Sequence, residues 1–392
     1  MLQPLLDLRR RYLPVRRWAR AVGLAAPAPV VVPPPPPDPL AELLPRLFHA
    51  VGRTGDLGDW LVGLAGTAEF GELCAALNDR PDLRSITGAD EVATLALLVG
   101  RLRPALTLEI GTFFAGTTRV LAEAAGVVGG RVVTLDPFGS HRVPGILAAW
   151  PAEVRARVEY RDATSMCYFA KLDLPKAGRS PLGVVFVDGN HAFEYALFDI
   201  IRGADHLTPG GAVVVDNMDQ DGPRQAAAQF LDWNPAWRLF AGGRLYRAGD
   251  AVNAALTASP VGWGVLVAPA GVQVSATAMK VFEYNVAYQP IRAVRFHVAA
   301  ASGPGTLAVK LNYHAYPQSY SVRGEGLVID LRTSAALVTG AGDALAAFDP
   351  PAGFPLPAPN PIVVREMEVS FTPAGGGRGF VLLDATRPFS FD

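Results

Sequence analysis

The chain has 392 residues, a formal net charge of −1, and a composition in which 50% of residues are hydrophobic and 18% are charged. This length exceeds what one typical domain needs, so we expect two folded domains. Near-neutral charge argues against nucleic acid as a partner, because neutralising phosphates requires a basic surface. The cysteines are Cys74 and Cys167. Their low number predicts reduced thiols in a cytoplasmic protein, and the absence of a long apolar run predicts no transmembrane span.

Residues 1–39 are predicted to be a basic tail followed by a proline-rich linker. Arginines alternate with leucines and aromatic residues in the first part of this segment. Such a basic amphipathic pattern suits a membrane surface or a partner protein, and it equally suits a loosely ordered tail. The run VVVPPPPPDP then favours an extended spacer, because consecutive prolines cannot donate backbone hydrogen bonds.

Residues 40–250 carry the pattern of a Rossmann-like domain with a helical N-terminal cap. Apolar residues recur at three- and four-residue intervals in LAELLPRLFHAV and ADEVATLALLVGRL, which predicts the capping helices. From residue 105, strand-like runs such as ALTLEIG, RVVTLDPFG and GVVFVDGNH alternate with helical ones. This alternation predicts a doubly wound, mostly parallel sheet. Several runs end in a carboxylate or amide, so we expect functional groups at the carboxyl edge of the sheet.

Residues 251–392 are predicted to form a β-rich accessory domain. Short, partly alternating runs such as AVRFHVAAA, TLAVKLNYHAY and EMEVSF are separated by turns rich in glycine and proline. Helical periodicity is nearly absent from this part of the chain. The pattern is typical of an antiparallel β-sandwich or a jelly roll.

The first candidate site is the turn LEIGTFFAGTT, which joins a strand to a helix. Gly111 and Gly116 allow a ligand to approach the backbone, and the following helix offers free N–H groups. Asp136 ends the next strand, where a carboxylate can accept the hydroxyl groups of a ribose. A dinucleotide site is the alternative, but the G-x-G-x-x-G pattern is missing because Thr112 and Phe113 follow Gly111.

The second candidate site combines Asp188 and His191 with Asp216 and Asn217. Both pairs follow apolar strands, so these side chains should emerge close together. Two carboxylates and an amide oxygen suit Mg²⁺, and His191 suits a general base. The structural alternative is that Asp216 and Asn217 cap the next segment and that His191 packs as a hydrogen-bonded residue.

Four motifs in order, LEIGTFFAGTT, VVTLDPFG, VEYRDATS and VDGNHAFEYALFDI…LTPGGAVVVDN, resemble the class I S-adenosylmethionine-dependent methyltransferases over residues 85–248. The likeness is strongest to the catechol-type and macrocin-type O-methyltransferases, which act on catechols and on sugar hydroxyls.

The resemblance implies that Glu109 and Gly111 lie by the methionine moiety, Asp136 on the ribose, and Asp162 near the adenine. Macrocin-type enzymes use a matching Asp-x-x-His and Asp-Asp/Asn pair for the metal and the base. The complete cofactor set expected here is Glu109, Gly111, Thr112, Phe113, Thr117, Asp136, Pro137, Asp162 and Asp188. Ala115 departs from the pattern, since these families often have glycine there.

The resemblance implies an enzyme that transfers a methyl group from S-adenosylmethionine to a hydroxyl of a small molecule, a sugar or polyol in a glycan or glycosylated metabolite. Mg²⁺ bound by Asp188, Asp216 and Asn217 and the base His191 would assist. The alternatives are a metal-independent methyltransferase, a glycan-binding protein that retains the fold, and, less favoured, an NAD-dependent oxidoreductase. A homo-oligomer is a further hypothesis.

Overall fold

The structure is a computed structural model that describes residues 39–83, 86–171, 181–275, 280–283, 291–315, 328–352 and 362–392. The predicted basic tail and nearly all of the proline-rich linker lie outside these residues. Residues 39–392 form one compact unit.

A group of helices precedes the central sheet. They are α1 (Pro39–Ala50), α2 (Leu57–Leu64), α3 (Ala68–Asn78), a 3-10 turn (Pro81–Leu83) and α4 (Ala89–Leu102). Leu40, Leu44 and Leu47 are buried at the three- and four-residue spacing that brings side chains to one face of a helix. The Asp56 and Thr67 side chains cap α2 and α3 by accepting backbone N–H bonds.

The central sheet has eight strands in the order β3-β2-β1-β4-β5-β8-β6-β7. The strands are β1 (Leu106–Ile110), β2 (Arg131–Leu135), β3 (Val158–Arg161), β4 (Leu182–Val187), β5 (Leu207–Val215), β6 (Arg238–Ala241), β7 (Arg244–Arg247) and β8 (Gly264–Val267). The first five are parallel, and β8, β6 and β7 extend the sheet in antiparallel fashion. The Rossmann-like, mostly parallel sheet predicted from the sequence is therefore confirmed.

Helices cover both faces of this sheet, as a doubly wound fold requires. They are α5 (Gly116–Val128), α6 (Val143–Ala148), α7 (Ala152–Arg155), α8 (Ser165–Lys171), α9 (Phe193–His206), α10 (Asp221–Trp233) and α11 (Val252–Ala258). Alternate strand residues enter different cores. Val184 and Phe186 pack with the N-terminal helices and α5, whereas Val185 and Val187 pack with α9 and α10. Strands buried on both faces carry continuous apolar runs, which explains the VVFV and AVVV segments.

The central sheet continues beyond the domain boundary predicted at 250/251. Strand β8 lies at Gly264–Val267 and pairs with both β5 and β6. A chain cut at residue 250 would therefore lack a strand from the interior of the sheet. The independent folding of residues 251–392 stays a prediction, but the sheet itself ends later than the sequence pattern indicated.

The C-terminal part contains two antiparallel sheets, ordered β10-β15-β12-β13 and β14-β11-β16-β9, with β17 beside β11. The strands are β9 (Val272–Ser275), β10 (Lys280–Glu283), β11 (Ile291–Ala301), β12 (Gly305–Ala315), β13 (Val328–Val338), β14 (Gly342–Ala352), β15 (Ile362–Pro373), β16 (Phe380–Leu383) and β17 (Phe389–Phe391). One buried cluster includes Phe296 from one sheet and Leu307 and Phe371 from the other. The antiparallel β-rich prediction is thus confirmed, while the choice between sandwich and jelly roll stays a prediction.

Among the described residues, no single helix has the length and apolar character to cross a membrane. The bent pair α2 and α3 reaches that length and composition only when the two helices are taken together.

Candidate active site

Three neighbouring strands end together at the carboxyl edge of the central sheet. The Asp188 N–H donates to the Ile110 carbonyl at 2.8 Å, and the Asp216 N–H donates to the Val187 carbonyl at 3.0 Å. These bonds continue the parallel ladder one residue past each strand. They bring the Gly111 turn and both predicted carboxylates to one place, as expected for functional groups in such sheets.

Gly111 is required by the close approach of two strand ends. Its φ is +104°, and a Cβ atom there would lie 1.9 Å from the Asp188 carbonyl oxygen. Only glycine fits such a backbone and such a contact. The turn therefore fixes the backbone position of Asp188 relative to β1.

The next residues of this turn also have left-handed backbone conformations. Phe113 has a φ of 44°, and Ala115, the N-cap of α5, has a φ of 59°. Non-glycine residues in this region carry strain, which often marks binding sites. Ala115 is also buried, so the methyl group that departs from the family pattern packs inside the turn.

Asp136 follows β2 and organises the loops on either side of it. Its carboxylate accepts the Phe138 N–H at 2.8 Å and the Phe113 N–H at 3.1 Å. Arg142 lies 3.3 Å from the same carboxylate and donates to the Phe113 carbonyl at 3.0 Å. Asp136, the residue predicted to bind the ribose, therefore lies between the two loops.

A cavity of about 470 Å³ opens beside this carboxylate, a size typical of small-molecule sites. Five predicted cofactor residues line it, namely Gly111, Phe113, Asp136, Pro137 and Asp188. Four others do not, namely Glu109, Thr112, Thr117 and Asp162. The direct cofactor contacts of these four stay predictions.

Glu109 lies on the opposite side of β1 from its apolar neighbours and faces α5. Its carboxyl group accepts hydrogen bonds from Thr118 at 2.5 Å and Thr134 at 2.6 Å. Complete burial raises the pKa of Glu109 to about 8, while the two threonine hydroxyls act in the opposite direction. Near neutral pH this buried group therefore holds a proton.

We expect Glu109→Gln to make the pH dependence of stability shallower. In the native state the Glu109 pKa is about 8 against an ordinary 4.5, so the folded chain keeps a proton that the unfolded chain releases. Stability from this group is present below pH 4.5 and is lost as pH rises through about 8. Glutamine has a similar shape and does not titrate. Urea unfolding across this window measures the difference.

The control for this experiment is Glu153→Gln, which changes an exposed carboxylate on α7. It should leave the pH profile of the wild-type chain unchanged. If Glu109→Gln gave the same slope as wild type, burial would not hold the proton on Glu109.

Asp188 links the cavity to the second candidate site. Its carboxylate lies 3.6 Å from His191 Nε2, and His191 Nδ1 lies 3.2 Å from Gln220 Oε1. The hydrogen bond with Asp188 raises the pKa of His191, partly offset by burial. Both partners present oxygen acceptors, so they orient the imidazole and favour its protonated form; to act as a base, His191 would need one nitrogen free to face the acceptor hydroxyl.

Asp216 lies beside Asp188, as the sequence predicted. Burial, followed by the charge of Asp188, raises the pKa of Asp216 to about 7. Asn217 has a left-handed φ of 56°, and its side-chain oxygen is buried without a hydrogen-bond partner among the described residues. A buried amide oxygen of this kind indicates a missing donor or cation.

Glu91, in the first turn of α4, is a third carboxyl group at this position that the sequence analysis did not single out. Its side chain is 2% exposed. Burial, and then the charges of Asp216 and Asp188, raise the pKa of Glu91 well above its ordinary value. Its Oε1 atom has no hydrogen-bond partner among the described residues. The site therefore contains one more carboxyl group than predicted, and burial beside two other acids favours its protonated form.

The donor chemistry here fits a hard divalent cation. Asp188 and Asp216 supply carboxylates, and Asn217 supplies a free buried oxygen, which are ligands that Mg²⁺ accepts. In the part of the chain that the structure describes, however, no three His, Cys, Asp or Glu side chains are grouped as a metal centre. The Mg²⁺ assignment accordingly remains a proposal.

Asp199 of α9 is a further cavity residue that the sequence analysis missed. It is 2% exposed and lines the cavity together with Ser165. Burial raises the pKa of Asp199 to about 6, while a hydrogen bond with Ser165 lowers it. The helical spacing does indicate that Asp199 is buried. The buried residues Ala196 and Gly203 lie three residues before it and four residues after it, on the same face of the helix.

Residues 108–218 match the family model described as a methyltransferase domain. This match spans β1 to the end of β5 and contains both candidate sites. The match bears out the methyltransferase part of the predicted resemblance. Residues 108–218 therefore carry a methyltransferase domain.

Similar solved structures include cofactor-bound Rv0187 from MTB, with 24% identity, 52% of this chain and 92% of that chain covered, and a TM-score of 0.36. The O-methyltransferase TomG from Streptomyces achromogenes, in complex with SAM, has 25% identity, coverage of 52% and 90%, and a TM-score of 0.35. An O-methyltransferase from Bacillus cereus in complex with SAH has 19% identity, coverage of 52% and 91%, and a TM-score of 0.37. A comparison with curated proteins gave no match. The class assignment rests on the family match and the four motifs.

Proposed function

We propose that this chain transfers the methyl group of S-adenosylmethionine to a hydroxyl oxygen of a sugar or polyol, with His191 as the base. The observation that carries the proposal is that Asp188 belongs to both candidate sites. This residue lines the cavity beside Asp136, and it also contacts His191 and lies beside Asp216. A cofactor in the cavity would thus have its reactive end next to the acidic site.

The cavity residues suit the parts of the cofactor in the order that the motifs imply. The Gly111 turn would accommodate the methionine moiety, and Asp136 would accept the ribose hydroxyls. Pro137 and Phe138 form part of the cavity wall. The Phe138 side chain is 79% exposed, and an apolar ring at this position would gain from covering a bound adenosine.

His191 would take the proton of the acceptor hydroxyl as the oxygen attacks the methyl carbon. The bond from the hydroxyl oxygen to that carbon would form as the carbon–sulfur bond broke, with S-adenosylhomocysteine as the leaving group. The contact with Asp188 would stabilise the protonated imidazole, and Gln220 would keep the ring in place.

Asp188, Asp216 and Asn217 would hold Mg²⁺ in this proposal. A bound cation would stabilise the negative charge that develops on the acceptor oxygen, which matters because a sugar hydroxyl is a very weak acid. The crowded carboxyl groups support the proposal, since a bound cation would favour their ionised forms, which burial and mutual repulsion disfavour.

The proposal is tested by calorimetry of the full chain with S-adenosylhomocysteine, with and without Mg²⁺, and with NAD. We expect S-adenosylhomocysteine to bind and NAD not to bind. Tight binding of NAD without any response to S-adenosylhomocysteine would favour the oxidoreductase alternative. With S-adenosylmethionine, mass spectrometry of sugar, polyol and catechol acceptors then identifies the methylated class. Methylation of catechols alone would contradict the sugar assignment.

Asp136→Ala should weaken binding of S-adenosylhomocysteine by about 1.5–3 kcal/mol, the cost of losing hydrogen bonds to a charged group. Calorimetry measures the change. Because Asp136 also accepts the Phe113 and Phe138 N–H groups, thermal unfolding of the variant is measured in parallel. Glu153→Ala, an exposed carboxylate outside the cavity, is the control and should bind like wild type. Unchanged affinity in Asp136→Ala would remove Asp136 from the ribose.

A further inference from the structure

A second cavity, of about 480 Å³, lies between the loop before α2, the β6–β7 hairpin and strand β16 of the C-terminal part. Its lining includes Gly210 near the start of β5, whereas the cofactor cavity lies past the carboxyl ends of the strands. The two cavities share no lining residue. This second space is therefore independent of the proposed methyl-transfer site.

Positive charge distinguishes this cavity from the rest of a nearly neutral chain. Among the described residues that line it are four arginines, Arg53, Arg101, Arg238 and Arg247, and one carboxylate, Asp56. The lining thus has an excess of three positive charges. Such an excess in one concave surface attracts an anionic ligand.

Among the described residues, one of the four guanidinium groups is hydrogen-bonded to a carboxylate. Arg238 forms a two-pronged pair with Asp56, with both contacts at 2.7 Å. Arg101 is 8% exposed and donates to the carbonyls of Thr54 and Gly55, which are uncharged acceptors. Asp56, already paired with Arg238, is also the carboxylate whose charge acts on Arg101. One carboxylate thus serves two guanidinium groups, and an incoming anion would supply the missing negative charge.

Arg53 and Arg247 are exposed residues that line the same cavity. No side-chain hydrogen bond or ion pair joins either of them to another described residue. Free guanidinium groups offer parallel N–H donors that match the oxygens of a phosphate. They are available for a ligand without the loss of an existing contact.

The remaining wall of the cavity is apolar and includes Leu57, Val267, Phe380 and Leu382. A cavity of this volume accommodates more than an inorganic ion. A small molecule with a phosphate at one end and a less polar body would therefore contact both parts of the wall.

We propose that this cavity binds the phosphate group of a small molecule through Arg53, Arg101 and Arg247. Because its lining comes from both the methyltransferase sheet and β16, the bound ligand would hold these two parts together. A ligand that binds only the folded chain raises its apparent stability. Binding should then appear as a saturable rise in the melting temperature.

The test uses the full chain with inorganic phosphate, a hexose phosphate and phenyl phosphate, and with glucose and phenol as uncharged counterparts. Sodium chloride keeps the ionic strength constant, because screening alone changes surface electrostatics. We expect saturable calorimetric binding and thermal stabilisation with the phosphate compounds only. Tighter binding of an ester than of inorganic phosphate would assign the site to a phosphorylated metabolite, and equal affinity would assign it to phosphate itself.

The double variant Arg53→Gln/Arg247→Gln should weaken phosphate binding by about tenfold or more, as expected when hydrogen bonds to a charged group are lost. Arg387→Gln removes one charge from an exposed residue outside the cavity and should bind normally. S-adenosylhomocysteine should bind the double variant like wild type. The proposal is overturned if no phosphate compound binds saturably, if the double variant binds normally, or if S-adenosylhomocysteine displaces the phosphate compound.

Discussion

Asp216→Asn should abolish the Mg²⁺ dependence of methyl transfer and lower turnover by about 10²–10³-fold, the usual cost of losing electrostatic stabilisation of a developing oxyanion. Asparagine keeps the shape of the side chain and removes the charge that holds the cation. Asp216 does not line the cofactor cavity, so the affinity for S-adenosylhomocysteine should stay close to that of wild type. Initial rates at varied Mg²⁺, together with calorimetry, measure both effects.

Asp219→Asn is the matched control, because Asp219 is an exposed carboxylate three residues along the same loop. It should keep wild-type rates and Mg²⁺ dependence. His191→Ala gives a second comparison: turnover should drop by about 10²–10⁴-fold, the range for a lost base, while Mg²⁺ dependence remains. Full activity of the wild-type chain in excess EDTA would refute the metal proposal and leave His191 as the base of a metal-independent enzyme.

The sequence predicted the central part of this site because its signals are local. The runs that form β1, β4 and β5 are short and apolar, and each is followed by a residue with a clear role. Parallel strands place their carboxyl ends at one edge, so Asp188 and Asp216 were expected side by side and the Gly111 turn at the same edge of the sheet. The Ile110–Asp188 and Val187–Asp216 hydrogen bonds show this arrangement directly.

The acids Glu91 and Asp199 were missed because both lie on helices in which buried apolar residues determine the hydrophobic pattern. Nearly every residue of α4 is buried, so periodicity does not separate the site face from the core face. In α9, Asp199 occupies a buried position between Ala196 and Gly203. An acid at an apolar helical position is itself a signal, because burial of an unpaired carboxyl group is expensive.

Strand β8 was missed for a different reason. The segment GVLV at 264–267 follows α11, and its four residues resemble the start of the β-rich region. Its place between β5 and β6 depends on long-range antiparallel pairing. Local patterning contains no information on which strands a short apolar segment will pair with, so the sequence did not place this strand in the central sheet.

Gly111→Ala should destabilise the chain by about 3 kcal/mol or more, since the alanine would have an unfavourable backbone conformation and a severe clash. At a φ of +104°, its Cβ would lie 1.9 Å from the Asp188 carbonyl oxygen and 2.7 Å from the Asp188 carbonyl carbon. Both atoms belong to the backbone, so no side-chain rotation can relieve the contact. The end of β4 would have to move, and Asp188 would leave its place between the cavity and His191.

Urea unfolding measures this loss, and calorimetry should show that any folded variant binds S-adenosylhomocysteine more weakly. Gly126→Ala is the matched control, because Gly126 lies within α5 and an added Cβ there meets no atom within 4 Å. That variant should be more stable than wild type by about 0.5–1 kcal/mol, as alanine favours a helix interior over glycine. Equal stability of Gly111→Ala and wild type would mean that the two strand ends are farther apart than the hydrogen bond between Asp188 and Ile110 indicates.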